Sequence, residues 1–197
     1  MPQFSSPIRV ASFAGAFFFA GCDASTSALV RPANSTDSAA NLMAYTGPMR
    51  VLFDDGIDPD VFAPAMEATI STSDRRISER LRGSVFVVNA QIVTVTTERS
   101  DEDGRVELEL QPTEPPIHGR LAPYAAVGEP FKVYLGRTSS GYSLLKSSQN
   151  DVVGKRLNLC WARFAEGNLP VEHWHALADT PKTKLAIAKA AAIVNFE

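Results

Sequence analysis

Two histidines two residues apart, His173 and His175, flank Trp174 near the C-terminal end of the 197-residue chain. On an extended strand such positions point to one side, so both imidazoles can face a single metal ion. His118 is the third and last histidine. Together with Cys160, Glu172 or Asp179 it would complete a tetrahedral zinc site. The plainer alternative makes His173 and His175 half-exposed strand residues on either side of a buried tryptophan.

Other groups carry weaker chemistry. Asp54, Asp55, Asp58 and Asp60 crowd one segment, but their intervals do not match the oxygen-ligand spacing of a calcium loop. Asp58 before Pro59 reads as a helix cap. A nucleophilic Cys160 needs a nearby base and a lowered pKa; in LNLCWARF it reads as a buried thiol. Arg75, Arg76, Arg80 and Arg82 cluster near Glu79, either as a solvated helix face or as a contact for lipid headgroups or an acidic protein. The chain has no Gly-x-Ser-x-Gly elbow, P-loop, His-Glu-x-x-His or dinucleotide glycine pattern. No catalytic residues and no organic cofactor are therefore assigned.

Charge excludes another class. Nineteen Lys and Arg stand against 22 Asp and Glu, a net charge of −3, with a pI near 5.7. A nucleic-acid-binding chain shows a basic face and a high pI, so no nucleic-acid partner is expected.

The elements that must position these residues are mostly strands. Met49–Phe53 is a short apolar run. Ser84–Thr97 is rich in β-branched residues, and its extended length of about 45 Å calls for a bend or bulge. After the turn signal at Ser100–Gly104, Val106, Leu108 and Leu110 alternate with Glu107 and Glu109, the pattern of an antiparallel hairpin with one wet face. Phe131–Leu135, Tyr142–Lys146, Lys155–Phe164 and Val171–Leu177 extend the set, with turn signals at residues 128–130, 139–141 and 166–168. Helices are expected from Ser73 to Leu81, with Ile77 and Leu81 on one face, from Pro59 to Met66, and from Pro181 to Val194 after a Thr180 cap. In the last, Leu185, Ala188, Ala192 and Ile193 would pack on the sheet while Lys182, Lys184 and Lys189 face water; the alternative is a basic helix lying on a membrane surface. The predicted fold is α+β but mainly β: a curved antiparallel sheet, or a small barrel or sandwich, with a packed C-terminal helix over residues 49–197.

The N-terminus differs in kind. Arg9 precedes the apolar run Val10–Ala20, which has the length of a secretory core and falls short of the roughly 20 residues that cross a bilayer. The run ends in Phe19-Ala20-Gly21-Cys22, which resembles the bacterial lipobox. That resemblance implies a signal peptide over residues 1–21, cleavage before Cys22, and a diacylglycerol thioether on Cys22 that anchors the chain to the lipid bilayer from the periplasmic side. Cys22 and Cys160 are the only cysteines, so a lipidated chain has no pair left for an internal disulfide. Residues 22–48, rich in Ala, Ser and Thr, read as a flexible tether. Asp23, next to the anchor, resembles the residue that holds some lipoproteins at the inner membrane. The expectation is a cell-envelope lipoprotein, held in the inner or outer membrane, that serves as a non-enzymatic binding or accessory subunit with an envelope protein partner. The alternative is a zinc-dependent envelope enzyme using His173 and His175.

Overall fold

The computed structural model describes residues 39–62, 74–97 and 104–194. The predicted signal peptide, Cys22, the tether through residue 38, the Ser73 cap and the turn residues 100–103 lie outside them. The mainly β expectation holds. Seven strands form one curled half-barrel sheet: β1 (Gly56–Ile57), β2 (Phe86–Thr97), β3 (Val106–Pro112), β4 (His118–Gly119), β5 (Phe131–Leu135), β6 (Arg156–Glu166) and β7 (Leu169–Ala178). Their order is β1-β7-β6-β2-β3-β5, with β4 continuing the edge of β2 beyond β3. All pairings are antiparallel except β1 with β7.

Curling follows from the long strand. The β2 register with β3 shifts between Ile92 and Thr94, and such a bulge bends a strand and increases its twist. The result shows in two rings. Phe131 on β5 and Trp161 on β6 are separated by β2 and β3, about 14 Å across a flat sheet, yet their centroids are 6.2 Å apart. The face carrying them is therefore concave. It buries Phe86, Val88, Leu108, Leu110, Leu135, Leu157, Leu159 and Trp174 in one core.

The opposite face presents Val87, Cys160, Ala162, Phe164 and Leu177 to a second core. Three helices cover it: α1 (Gly47–Leu52), α2 (Asp74–Gly83) and α5 (Pro181–Val194). Two short helices, α3 (Tyr142–Ser147) and α4 (Gln149–Val152), serve the concave side through Tyr142, Leu145 and Val152. In α2, Ile77 and Leu81 are buried four residues apart, as their spacing predicts. Among the described residues no helix is long and apolar enough to cross a membrane.

Several expectations are corrected. Met49–Phe53, expected as a strand, lies mainly in α1, with Pro48 in the helix's first turn and Leu52 as its buried residue; proline fits that position because its missing N–H is unused there. Tyr142–Lys146 is likewise helical and buries Tyr142 and Leu145 three apart. The helix expected over Pro59–Met66 is a 3-10 turn over Pro59–Val61, capped by Asp58, whose Oδ1 accepts from the Asp60 N–H; residues 63–66 lie outside the described residues. The predicted C-terminal helix is present, and Thr180 Oγ1 accepts from the Thr183 N–H at its start. Its core stripe is not the one expected: Thr183, Ala186, Ile187, Ala190 and Ala191 are buried, whereas Leu185 and Ile193 are 56% and 53% exposed. The small alanines let α5 approach α2 and the sheet closely, which the bulkier stripe would prevent.

The tether also ends earlier than expected. Ala44 bridges Ala165 at the end of β6, with Tyr45 N–H donating to Ala165 O and Ala165 N–H to Met43 O. Residues 39–48 are thus bound to the sheet rather than part of a leash.

Candidate functional site

His173 and His175 both project from β7 onto the helix-covered face, as their two-residue spacing requires. Each meets an aspartate from the turn that leads into β1. His175 Nδ1 lies 2.7 Å from Asp54 Oδ1, and His173 Nδ1 lies 2.8 Å from Asp55 Oδ2. The parallel pairing of Gly56 with His175 sets this register. Asp55 also accepts from the Trp174 N–H through Oδ1 and returns its own N–H to Trp174 O. These bonds hold Asp55 at φ 51°, a left-handed conformation that aspartate tolerates better than most residues. Asp54 Oδ2 accepts from the Ser140 N–H, which joins the turn to the segment before α3.

Aromatic packing closes the cluster. The Tyr45 ring lies on His173 at a centroid distance of 3.7 Å, and its hydroxyl donates to Phe53 O. Arg50 lies over the Tyr45 ring at 5.1 Å and pairs with Glu166 at 3.0 Å. Burial, helped by the Asp55 carboxylate, pushes the Tyr45 hydroxyl up to about 12. His173 Nε2 is buried with no hydrogen-bond partner.

His175 is 4% exposed. Burial lowers its pKa against the opposing hydrogen bond to Asp54, so the ring is a neutral Nδ1–H donor to an ionised carboxylate. For Asp54, burial works upward, but the hydrogen bonds from His175 and Ser140 prevail and hold it at about 2.

Cys160 pairs directly with His175 across β6 and β7, so a thiol and an imidazole share one face. The thiol is nevertheless fully buried. Burial pushes it up to about 11 despite the Arg80 charge and a hydrogen bond with Ser84. A thiol in that state is not an activated nucleophile at neutral pH.

The predicted zinc site is not assembled. His118 pairs with Val87, Val87 with Cys160, and Cys160 with His175. Three interstrand steps, about 14 Å in all, thus separate His118 from His175. Glu172 alternates onto the concave face, where its Oε1 lies 3.8 Å from Arg163 Nε, and Asp179 pairs with Lys184. Among the described residues no group of three or more His, Cys, Asp and Glu is placed to hold a metal. The four aspartates of the calcium alternative do not converge either, since Asp54 and Asp55 face histidines and Asp58 caps a turn.

The arginine cluster is also divided. Arg80 is 2% exposed and donates through Nε to Leu52 O at 2.9 Å, tying α2 to α1. It cannot meet an outside anion. Arg76 and Arg82 are exposed; the Arg75 side chain lies outside the described residues. Between α1 and α2 a shallow cavity of about 430 Å³ is lined by Pro48, Met49, Val51, Leu52, Arg76 and Glu79.

What the aspartate–histidine pairs do chemically is fasten. They clip the turn before β1 to β7, while Tyr45 covers one ring and α2 lies over the other's surroundings. Sequence reasoning found the histidines by their period but missed both aspartates and Tyr45 as partners. No local signal marks them, because the paired residues stand 118 and 121 positions apart. No family model, curated protein or solved structure matches the chain.

Proposed function

We propose that the chain is a periplasmic lipoprotein, anchored through Cys22, whose folded module acts as a non-enzymatic binding or accessory subunit of a cell-envelope assembly. One observation carries the non-enzymatic part. The residues best suited to chemistry are all committed to structure: His173 and His175 to Asp55 and Asp54, Cys160 to the core, and Arg80 to a helix contact. The anchor rests on the lipobox resemblance of Phe19-Ala20-Gly21-Cys22.

Two measurements test it. Intact mass and detergent-phase partition of the wild type and Cys22→Ala, expressed in a secreting bacterial host, should differ by acyl mass and by membrane retention; identical behaviour would sink the anchor. For the module, His173→Gln and Cys160→Ala proteins that still fold should form the same native membrane complex as the wild type. A folded His173→Gln protein that keeps the complex but loses a cellular activity would argue for an enzyme instead.

A further inference from the structure

The concave face holds a polar atom that the fold leaves unanswered. Trp161 on β6 is 5% exposed, and its indole Nε1–H is buried with no hydrogen-bond partner among the described residues. A buried tryptophan N–H ordinarily finds an acceptor, because without one it gives up its hydration for nothing. Three rings stand around the indole. Phe86 is stacked on it at 5.8 Å, Phe131 meets it edge-on at 6.2 Å, and Tyr124 is tilted against it at 6.3 Å between centroids.

Tyr124 differs from the other two in its origin. Phe86 and Phe131 belong to strands, whereas Tyr124 hangs from the strap of residues 120–130 that joins β4 to β5. In the strap Leu121 is buried, Tyr124 and Ala125 are half-buried, and the other residues are exposed. Its far end is tied to β3 at Gly128, whose N–H donates to Pro112 O and whose carbonyl accepts from Gln111 Nε2. The Tyr124 ring packs on Phe86 at 5.6 Å, and its hydroxyl accepts from Arg163 Nη1 at 3.5 Å, a long bond by ordinary geometry. One ring on a surface strap thus fills the slot beside the unanswered N–H.

Charge narrows what can take its place. Arg163 is 7% exposed, and Glu172 Oε1 lies 3.8 Å from its Nε. The cation at this slot already has its anion, so a carboxylate ligand would add an uncompensated charge to a buried place. The unmet group is the indole N–H, which asks for a neutral acceptor.

We propose that the concave face at Trp161 is a binding site for a small aromatic molecule carrying a neutral acceptor oxygen. Its ring takes the place of the Tyr124 phenol against Phe86, its oxygen accepts from Trp161 Nε1–H, and Tyr124 is the resident competitor that the strap withdraws. This deepens the binding role proposed for the module, and rests on it, by giving that role a ligand class.

The test uses the isolated full chain with Cys22→Ala, isotope-labelled at nitrogen. Trp161 and Trp174 are its only tryptophans, so it gives two indole N–H resonances, which Trp174→Phe assigns. Acetophenone should move the Trp161 resonance downfield, as an N–H that gains an acceptor does, with a dissociation constant of about 1 mM for a ligand of this size. Ethylbenzene, close in shape but without the oxygen, should bind about fivefold more weakly, and benzoate should leave the resonance in place. Tyr124→Ala should tighten acetophenone roughly tenfold, because the competing ring is gone. A Trp161 resonance that acetophenone does not move in the chain that keeps Tyr124 would overturn the proposal, whatever the variant does. So would ethylbenzene binding as tightly as acetophenone, which would mean apolar filling alone, or a folded Tyr124→Ala protein that binds no tighter. Acyl mass and the native membrane complex are separate readouts: a failed anchor or complex would show there, and a failed site only in the indole resonance.

Discussion

Tyr45 lies flat on His173, the two rings 9° from parallel, and this contact joins a segment that composition places in a tether to the far strand of the sheet. Its hydroxyl bond to Phe53 O and the bridge of Ala44 to Ala165 make the attachment multiple. Residues 39–48 therefore belong to the folding unit. A chain beginning at Met49 should unfold at markedly lower denaturant than one beginning at Ala39, and Tyr45→Ala alone should cost about 2 kcal/mol from lost aromatic packing and apolar burial. Equal midpoints for the two lengths would show that the segment adds nothing to the fold.

The expected and the observed core positions of α5 make opposite claims on stability. Ile187 is fully buried, so Ile187→Ala should cost about 3 kcal/mol through lost burial and the cavity left behind. Leu185 faces outward, and Leu185→Gln should stay within about 0.5 kcal/mol of wild type. Urea titrations of both proteins decide the matter. A larger loss for Leu185→Gln would restore the stripe that periodicity alone favours.

Much of the sheet was legible in the sequence because period-2 patterns survive where one face is buried and the other is not. Val106, Leu108 and Leu110 read plainly for that reason, and the length of the run before them announced its bulge. The short run Met49–Phe53 did not, since five apolar residues fit a strand and a helical turn equally well and Pro48 settles the choice. In α5 both sets of positions satisfy a helical period, and only the tertiary need for small residues against α2 selects one. The candidate site was half legible. The shared face of His173 and His175 follows from their spacing, but their aspartates arrive through a parallel pairing of β1 with β7 that no local pattern encodes.

Thiol chemistry offers a direct check on Cys160. It is fully buried, and its pKa is pushed up to about 11, so the native Cys22→Ala protein should not react with a disulfide reagent at mildly alkaline pH. Reaction should appear only with unfolding and follow the denaturant transition. Rapid labelling of the folded protein, especially if lost in His175→Gln, would reveal an activated thiol beside the imidazole and revive a nucleophilic role.

Acid should loosen the clasp between β1 and β7 in two steps, both of the same sign. His175 has a folded pKa below its ordinary 6.5 because burial disfavours the charged ring. Protonation therefore favours the unfolded chain, and stability that is full above about pH 6.5 declines as pH falls below it. Asp54 is held at about 2 in the fold against 3.8 ordinarily. Its contribution is full above about pH 4 and is lost as pH falls toward 2; because the side chain is 27% exposed, screening leaves roughly 1 kcal/mol. Urea unfolding across this range, compared among wild type, His175→Gln and Asp54→Asn, separates the steps. Glutamine can still donate to Asp54 but does not titrate, so His175→Gln should flatten the decline below pH 6.5 and keep much of the one below pH 4. Asp54→Asn should flatten the lower step. Identical pH slopes in all three proteins would mean that the Asp54–His175 bond contributes nothing to holding the turn before β1 against β7.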